Sequence, residues 1–130
     1  MYLMLKPFGT TLTIDADKCM GLIDDRKNIQ NFIDELVSRL GMKKKGQTIF
    51  EYFEDNDYNR ERDIVGYSVV QIISLSSIVI HINDISRTIY LDVFTCSDLD
   101  EDMVTLIFAE YFKPTKLKKQ MIIRDAKSLN

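Results

Sequence analysis

Cysteine and histidine are scarce in this sequence of 130 residues, which contains two cysteines and one histidine. Cys19 and Cys96 are too few for a disulfide framework, and neither belongs to a Cys-x-x-Cys pair. His81 is not accompanied by a cluster of soft ligands at the spacing of a zinc finger. The sequence therefore predicts neither a disulfide-bonded scaffold nor a metal site.

A long apolar run and a basic surplus are also missing. No uninterrupted stretch approaches the roughly 20 apolar residues of a membrane helix. Residues 1–5 are too short for the core of a signal peptide, and Lys6 and Pro7 follow at once. The net charge of -3 argues against a nucleic-acid-binding module, and the lysines in residues 113–119 are interpreted as a solvated edge. We expect a cytoplasmic protein that binds neither nucleic acid nor a membrane.

What is present is the composition of a folded domain, with 45% hydrophobic and 28% charged residues. The length suits one compact domain and is too small for two, so we expect residues 1–130 to form a single domain. Hydrophobic periodicity predicts the element order β-α-β-β-β-β-α-β. Strands are predicted at residues 8–15, 48–53, 66–74, 78–82, 88–95 and 116–124.

Two helices are predicted between these strands. The first follows the N-cap Asp24-Asp25 and stops at Gly41, with an apolar stripe of Ile29, Phe32, Ile33, Leu36, Val37 and Leu40. The second follows the acidic residues 98–102, ends before Pro114 and is expected to turn Met103, Leu106, Ile107 and Tyr111 inward. Residues 54–63 are polar and predict a surface loop. Both helices can pack on one face of an antiparallel sheet, giving an α+β two-layer sandwich.

The segment SVVQIISLSSIVIHINDISRTIYLDVFTC, from Ser68 to Cys96, contains four reactive residue types at distinctive intervals. Ser68 precedes Ser76 by eight residues, His81 follows Ser76 by five, and Cys96 follows His81 by fifteen. These residues resemble the S-adenosylmethionine decarboxylase family of the short bacterial and archaeal type, whose corresponding segments read like SESHLTIH and DVFTC.

The resemblance extends over nearly the whole chain. The segments that also match are FGTTL at 8–12, Cys19, FEYF at 50–53, FKP at 112–114 and QMIIR at 120–124. It implies the family's α+β sandwich and a homodimer with sites near the subunit interface. It also implies a role in polyamine synthesis, where the decarboxylated product supplies aminopropyl groups for spermidine.

The resemblance implies a self-cleaving enzyme whose cofactor, a pyruvoyl group, is made from Ser76. The Ser76 hydroxyl would attack the carbonyl of Leu75 in an N-to-O acyl shift. Elimination from the resulting ester would give dehydroalanine, which hydrolyses to pyruvoyl. The products would be a β chain of residues 1–75 and an α chain of residues 76–130. The pyruvoyl group would form a Schiff base with the substrate amine and accept the electrons left by decarboxylation.

Roles for three further residues are implied in the same way. His81 would be the processing base, which suits the one side chain type whose ordinary pKa lies near neutrality. The Ser68 hydroxyl would stabilise the oxyoxazolidine intermediate, and Cys96 would donate the proton that ends decarboxylation. Each residue also has a plainer interpretation: a strand serine, a hydrogen-bonded sheet histidine and a small buried cysteine. Their joint spacing favours the enzyme.

Two departures from the family pattern leave the substrate open. Leu75 stands where the family has glutamate, and Ile82-Asn83-Asp84-Ile85 replaces a TWPE-like segment that holds adenosine. Phe53 matches the family's other adenine-stacking position. Asp84 and Asp63 are candidates for binding a guanidinium or ammonium group, although turn chemistry also explains such aspartates. The alternatives are therefore an arginine or ornithine decarboxylase on the same fold, and an uncut, silent homologue that regulates an active relative.

Overall fold

The computed structural model of the protein describes residues 7–129, so the residues on which the signal-peptide interpretation rests lie outside the described part. Nine helices and strands follow one another along it. They are β1 (Gly9–Asp17), α1 (Arg26–Arg39), β2 (Ile49–Phe53), α2 (Asp57–Glu61), β3 (Gly66–Ile73), β4 (Ser76–Asn83), β5 (Thr88–Thr95), α3 (Glu101–Phe112) and β6 (Lys116–Arg124), with a 3-10 turn at Ala126–Ser128.

The six strands form one open sheet in the order β2-β3-β4-β5-β1-β6. Every neighbouring pair is antiparallel, and the predicted α+β sandwich is confirmed. β2 to β5 are neighbours in chain order: short turns join β3 to β4 and β4 to β5, and residues 54–65 join β2 to β3. β1 lies between β5 and β6. α1 connects β1 to β2 and α3 connects β5 to β6, so each long helix has a sheet to pack against.

Helix α1 agrees with the prediction. The carboxylate of Asp25 accepts a hydrogen bond from the backbone N–H of Asn28 at 3.0 Å, which satisfies one of the free donors of the first turn. The helix ends at Arg39 with Leu40 as its C-cap, and Gly41 adopts a φ of 71°, a left-handed value that glycine reaches without steric cost. Five of the six residues of the predicted stripe are buried, and Leu40 packs against the core.

Helix α3 lies where the sequence predicts it, but its buried stripe differs. Leu106 was expected inside and is 61% exposed, while Val104, Ile107, Phe108 and Phe112 are buried. Met103 and Tyr111 pack at the margin of the core. The helix is apolar on most of its surface, so periodicity alone left its rotation ambiguous. The larger phenyl rings take the inner positions and contact Phe32 of α1.

Residues 54–63 are not wholly loop, because α2 lies within them. The side chain of Asn56 accepts a hydrogen bond from the N–H of Asn59 at 2.8 Å and starts this single turn. α2 buries no residue, so the expected surface position is correct. β4 starts at Ser76, two residues earlier than predicted. Within residues 7–129, no helix is long and apolar enough to cross a membrane.

The sheet has two chemically different faces. Along β4, residues 76, 78, 80 and 82 are buried beneath α1 and α3, while residues 77, 79, 81 and 83 point to the opposite side. We call this opposite side the open face. One row of strand partners across it reads Glu51, Ser68, His81, Tyr90, Asp15 and Lys118.

Candidate active site

Ser76 and Cys96 are brought together at one end of the sheet. Ser76 is the first residue of β4 and is buried, and Cys96 directly follows β5. The backbone N–H of Cys96 donates a hydrogen bond to the Ser76 Oγ at 3.2 Å. The Ser76 hydroxyl donates to the Cys96 Sγ at 3.8 Å, and the Cys96 thiol also faces the carbonyl of Ser74. The hydroxyl predicted to be the nucleophile and the thiol predicted to be the proton donor are therefore neighbours.

Leu75 forms the tip of the two-residue turn between β3 and β4. Its side chain is 75% exposed, and its φ of 51° lies in the left-handed region. That conformation costs an L-residue with a β-carbon on the order of 1–2 kcal/mol. The peptide bond before Ser76 is therefore presented at a strained, accessible turn, while the hydroxyl beside it is buried.

Gly9 makes this close packing possible. A β-carbon at this position would lie 2.9 Å from the Cα of Cys96 and would also collide with the carbonyl oxygen of Thr95. A side chain here would push β1 away from the end of β5. Gly9 thus keeps the backbone of Cys96 in the position from which its N–H reaches Ser76.

Ser68 and His81 form a second pair, on the open face. They are direct partners in the register of β3 and β4. The Ser68 Oγ lies 2.8 Å from the His81 Nδ1, within hydrogen-bonding distance. The His81 ring is exposed, so its other nitrogen is accessible to a reacting group. A serine hydrogen-bonded to an accessible imidazole is an arrangement that can transfer a proton.

The two pairs do not meet within one chain. Ser76 and His81 both lie on β4, five residues apart, which corresponds to roughly 16 Å at the rise of a strand. Residues separated by an odd number also point to opposite faces of a sheet. Ser76 faces the helices, whereas His81 lies on the open face.

Phe53 and Asp84 are near the far end of β4 but on different sides. Phe53 is on the open face opposite Gly66 and is 44% exposed. Asp84 follows β4 and accepts a hydrogen bond from the Tyr52 hydroxyl at 3.3 Å. By strand alternation, Tyr52 lies on the helix-covered face of the sheet. Asp84, which is bonded to Tyr52, is therefore part of neither the Ser76–Cys96 pair nor the Ser68–His81 pair. Asp63 is exposed in the turn after α2.

The carboxyl group of Asp84 is partly buried beside Gly66. Its Oδ1 is buried with no hydrogen-bond partner among residues 7–129, and it lies 3.0 Å from the position that a β-carbon on Gly66 would take. Burial raises the pKa of this carboxyl, although the Tyr52 hydroxyl partly offsets the effect. The backbone N–H of Asp84 is bonded to the carbonyl of Val65, which ties the turn to β3.

Cys19 differs from Cys96 because it is fully buried. Burial raises the pKa of the Cys19 thiol to about 11, and the nearby Arg87 only partly opposes this shift. The Arg87 guanidinium donates to the carbonyl oxygens of Cys19 and Gly21 and so holds this turn. Cys19 is a packing residue. In the part of the chain that the structure describes, no three His, Cys, Asp or Glu side chains are grouped to hold a metal ion.

Three features of the site were not identified from sequence. The first is the Cys96 backbone N–H as a hydrogen-bond donor to Ser76. The others are Glu51 and Tyr90, which are strand partners of Ser68 and His81. Because their neighbourhood depends on strand register, only a correct alignment of β2 with β3 and of β4 with β5 could have indicated them.

Comparison with known proteins agrees with this architecture. The family model for S-adenosylmethionine decarboxylase matches residues 10–125. The fold is similar to the crystal structure of the adenosylmethionine decarboxylase from Aquifex aeolicus VF5, with a TM-score of 0.75 and 18% sequence identity. The match covers 96% of this chain and 98% of that chain. No curated protein matches the sequence significantly.

Proposed function

Because this chain belongs to the S-adenosylmethionine decarboxylase family, we propose that it is a decarboxylase that makes its own pyruvoyl group by cleavage between Leu75 and Ser76. The family and the fold support the decarboxylase role. The observation that carries the finer proposal is the contact of the buried Ser76 hydroxyl with the backbone N–H and thiol of Cys96, at the end of an exposed turn.

The residues at this turn fit the formation of the group. The Ser76 Oγ is held by the Cys96 N–H, and the adjoining Leu75 is accessible. Attack of this oxygen on the Leu75 carbonyl carbon would form an ester and break the Leu75–Ser76 peptide bond. The hydroxyl proton would pass to the Ser76 nitrogen, which becomes a free amino group. Removal of the Ser76 Cα proton would then expel the Leu75 carboxylate and leave dehydroalanine. Water would convert this residue to the pyruvoyl group with release of the nitrogen as ammonia. Once formed, the pyruvoyl carbonyl would supply the electron sink that an amino acid decarboxylation needs.

Cys96 would donate a proton, and the Ser68–His81 pair would remove one. The Cys96 thiol is 3.8 Å from the Ser76 Oγ, so it could donate a proton to the carbon of a substrate bound beside this position. His81 is suited to take the Cα proton of Ser76, with Ser68 orienting its ring. Within one chain, however, His81 is on the wrong face and too far away.

A second copy of the chain would resolve this separation. We propose a homodimer in which the Ser68–His81 pair on the open face of one copy meets the Ser76–Cys96 pair of the other. A two-fold axis would build two equivalent sites in this way. The open face also has apolar side chains for such contact, since Ile49 is 55% and Ile122 49% exposed. Assembly would then be a condition of self-cleavage.

Intact mass spectrometry combined with substrate assays tests the proposed function. We expect fragments of residues 1–75 and 76–130, and release of carbon dioxide from S-adenosylmethionine. Release from arginine or ornithine alone would select that alternative, which the missing TWPE-like segment favours. A chain that remains uncut and inactive would contradict the proposal and select the regulatory homologue, which Leu75 favours. A cytoplasmic location and a part in spermidine synthesis remain predictions.

Co-expression of two inactive variants tests the shared site. We expect Ser76→Ala and His81→Ala chains each to remain uncut alone, but the His81→Ala chain to be cleaved when the two are made together. Random pairing gives about one quarter of the wild-type number of complete sites, because half of the dimers are mixed and each mixed dimer has one intact site of two.

The matched control for this experiment is a mixture of His81→Ala and Ser68→Ala chains. Both variants lose the same half of the site, so their mixture should remain largely uncut. Cleavage in one mixture and not in the other is measured by intact mass, which separates the two α fragments. An uncut Ser76→Ala/His81→Ala mixture would contradict a site built from two copies.

A further inference from the structure

Strand β5 ends at Thr95, although neither a glycine nor a proline follows it. Thr95 is fully buried on the helix-covered face of the sheet. Its Oγ1 accepts a hydrogen bond from the backbone N–H of Ser97 at 3.1 Å. A threonine that binds the N–H two residues ahead closes a local turn and offers the backbone an alternative to strand pairing. The chain therefore bends at Cys96, between the two bonded residues.

Two further contacts hold the Thr95 hydroxyl. It donates to the Sδ of Met42 at 3.8 Å, and the Ser97 Oγ lies 3.1 Å from it. Met42 lies just beyond the end of α1 and packs against the core. Because the hydroxyl both donates and accepts, its hydrogen-bonding capacity is used although no water reaches it. The turn at Cys96 is thus anchored to the packed interior.

This bend determines where the two functional groups of Cys96 point. The Cys96 N–H donates to the Ser76 Oγ at 3.2 Å, and the Cys96 Sγ lies 3.8 Å from the same oxygen. The regular pairing of β5 ends at Thr95 on the side of β1 and at Phe94 on the side of β4. Cys96 lies beyond both ladders, so strand pairing alone does not set the direction of its N–H and thiol.

We propose that Thr95 is a positioning residue for the self-cleavage, because its bond to the Ser97 N–H orients Cys96 towards Ser76. Among residues 7–129, the Thr95 hydroxyl bonds only Met42 and Ser97, so it would act through the backbone and not on the reacting atoms. This inference rests on the proposed function, in which the Ser76 oxygen is the nucleophile that the Cys96 N–H holds.

The rates of self-cleavage of Thr95→Val and Thr95→Ser test the inference. Valine has nearly the shape of threonine but no hydroxyl, so the turn loses its hydrogen bond. We expect Thr95→Val to be cleaved about 5- to 10-fold more slowly than the wild type, the effect of one neutral hydrogen bond on a rate. Thr95→Ser keeps the hydroxyl and should be cleaved at nearly the wild-type rate. Intact mass at successive times after cell-free synthesis measures these rates.

Thr10→Val is the matched control. Thr10 is the strand partner of Thr95 on β1, and its Oγ1 is buried without a hydrogen-bond partner among residues 7–129. The same chemical change there removes no hydrogen bond, so Thr10→Val should be cleaved at the wild-type rate. A Thr95→Val rate equal to that of Thr10→Val would overturn the inference.

Unfolding free energies of these variants, measured on chains that also carry Ser76→Ala, separate positioning from stability. Thr95→Ser loses a buried methyl group and should be less stable than the wild type, yet it should be cleaved normally. A general loss of stability would instead slow Thr95→Ser together with Thr95→Val. Cleavage rates that followed the unfolding free energy across all three variants would therefore contradict a positioning role.

Amide hydrogen exchange, followed by NMR, separates this inference from the proposed function. Chains that carry His81→Ala keep Ser76, Thr95 and Cys96, and the measurement needs no cleavage. We expect the Cys96 amide to exchange about 5- to 10-fold faster when Thr95→Val is added, and at an unchanged rate with Thr95→Ser. Faster exchange would support the positioning of Cys96 by Thr95 even if the wild type proved uncut. Equal exchange with and without Thr95→Val would reject it, whatever the cleavage rates.

Discussion

Replacement of Ser76 by alanine should leave one uncut chain of 15.1 kDa with no decarboxylase activity. Alanine has no oxygen to attack the Leu75 carbonyl, so the ester, the cut and the pyruvoyl group would all be lost. The effect is larger than a loss of binding, because no cofactor would form at all. Intact mass and carbon dioxide release measure the two consequences on the same sample.

Ser77→Ala is the matched control for this experiment. Ser77 is the next residue of β4, but it lies on the open face, whereas Ser76 is buried and bonded to the Cys96 N–H. The Ser77→Ala chain should therefore be cleaved. Cleavage of the Ser76→Ala chain, or a Ser77→Ala chain that stays uncut while Ser76 is intact, would contradict the assignment of the nucleophile.

Phe108→Ala should lower the free energy of unfolding by about 3–5 kcal/mol, the usual cost of removing a large ring from a packed core. Phe108 is fully buried on α3. Its ring meets that of Phe32 edge-on, with centroids 6.0 Å apart, and lies 5.2 Å from that of Phe112. The missing ring would leave a cavity between α1 and α3. Denaturant unfolding measures the loss.

Leu106→Ala on the same helix is the comparison, and it should change the free energy of unfolding by only about 0.5 kcal/mol. Both variants should be made on Ser76→Ala chains, so that every sample is a single uncut molecule and two-state analysis applies. Equal destabilisation by the two substitutions would contradict the rotation of α3 described above. A large loss of unfolding free energy in Leu106→Ala alone would instead support the buried stripe that the sequence predicts for α3.

The fold could be predicted to a large extent because most elements have one clear period. Helix α1 has a polar side and an apolar side, so its caps and its buried stripe were both predicted correctly. α3 has few polar residues, and Leu106 was assigned to the core wrongly. The turn at Asn56 was missed because a five-residue helix without buried residues has no hydrophobic period to detect.

For the candidate site, sequence spacing selected residues but not their arrangement. The eight- and five-residue intervals singled out Ser68, Ser76 and His81. The pairing of Ser68 with His81, however, is set by the two-residue turn that places Ile73 opposite Ser76. The predicted strands ended at 74 and resumed at 78, which left that register open. A difference of one residue would have moved His81 to the buried face, so the separation of Ser76 from His81 emerged only from the sheet itself.

The strand order of the sheet would affect the stability and refolding of the molecule after a cut following residue 75. β1 belongs to the first fragment, yet it lies between β5 and β6 of the second. The fragments would therefore share one sheet, and they could not dissociate without breaking the strand pairs on both sides of β1. Before the cut, refolding involves a single chain. After it, refolding would also require the two fragments to associate. Stability of the mature protein would then depend on concentration, and thermal damage would be hard to reverse. If the chain is cleaved as proposed, folding would have to precede cleavage, and unfolding of the cut molecule would be difficult to reverse.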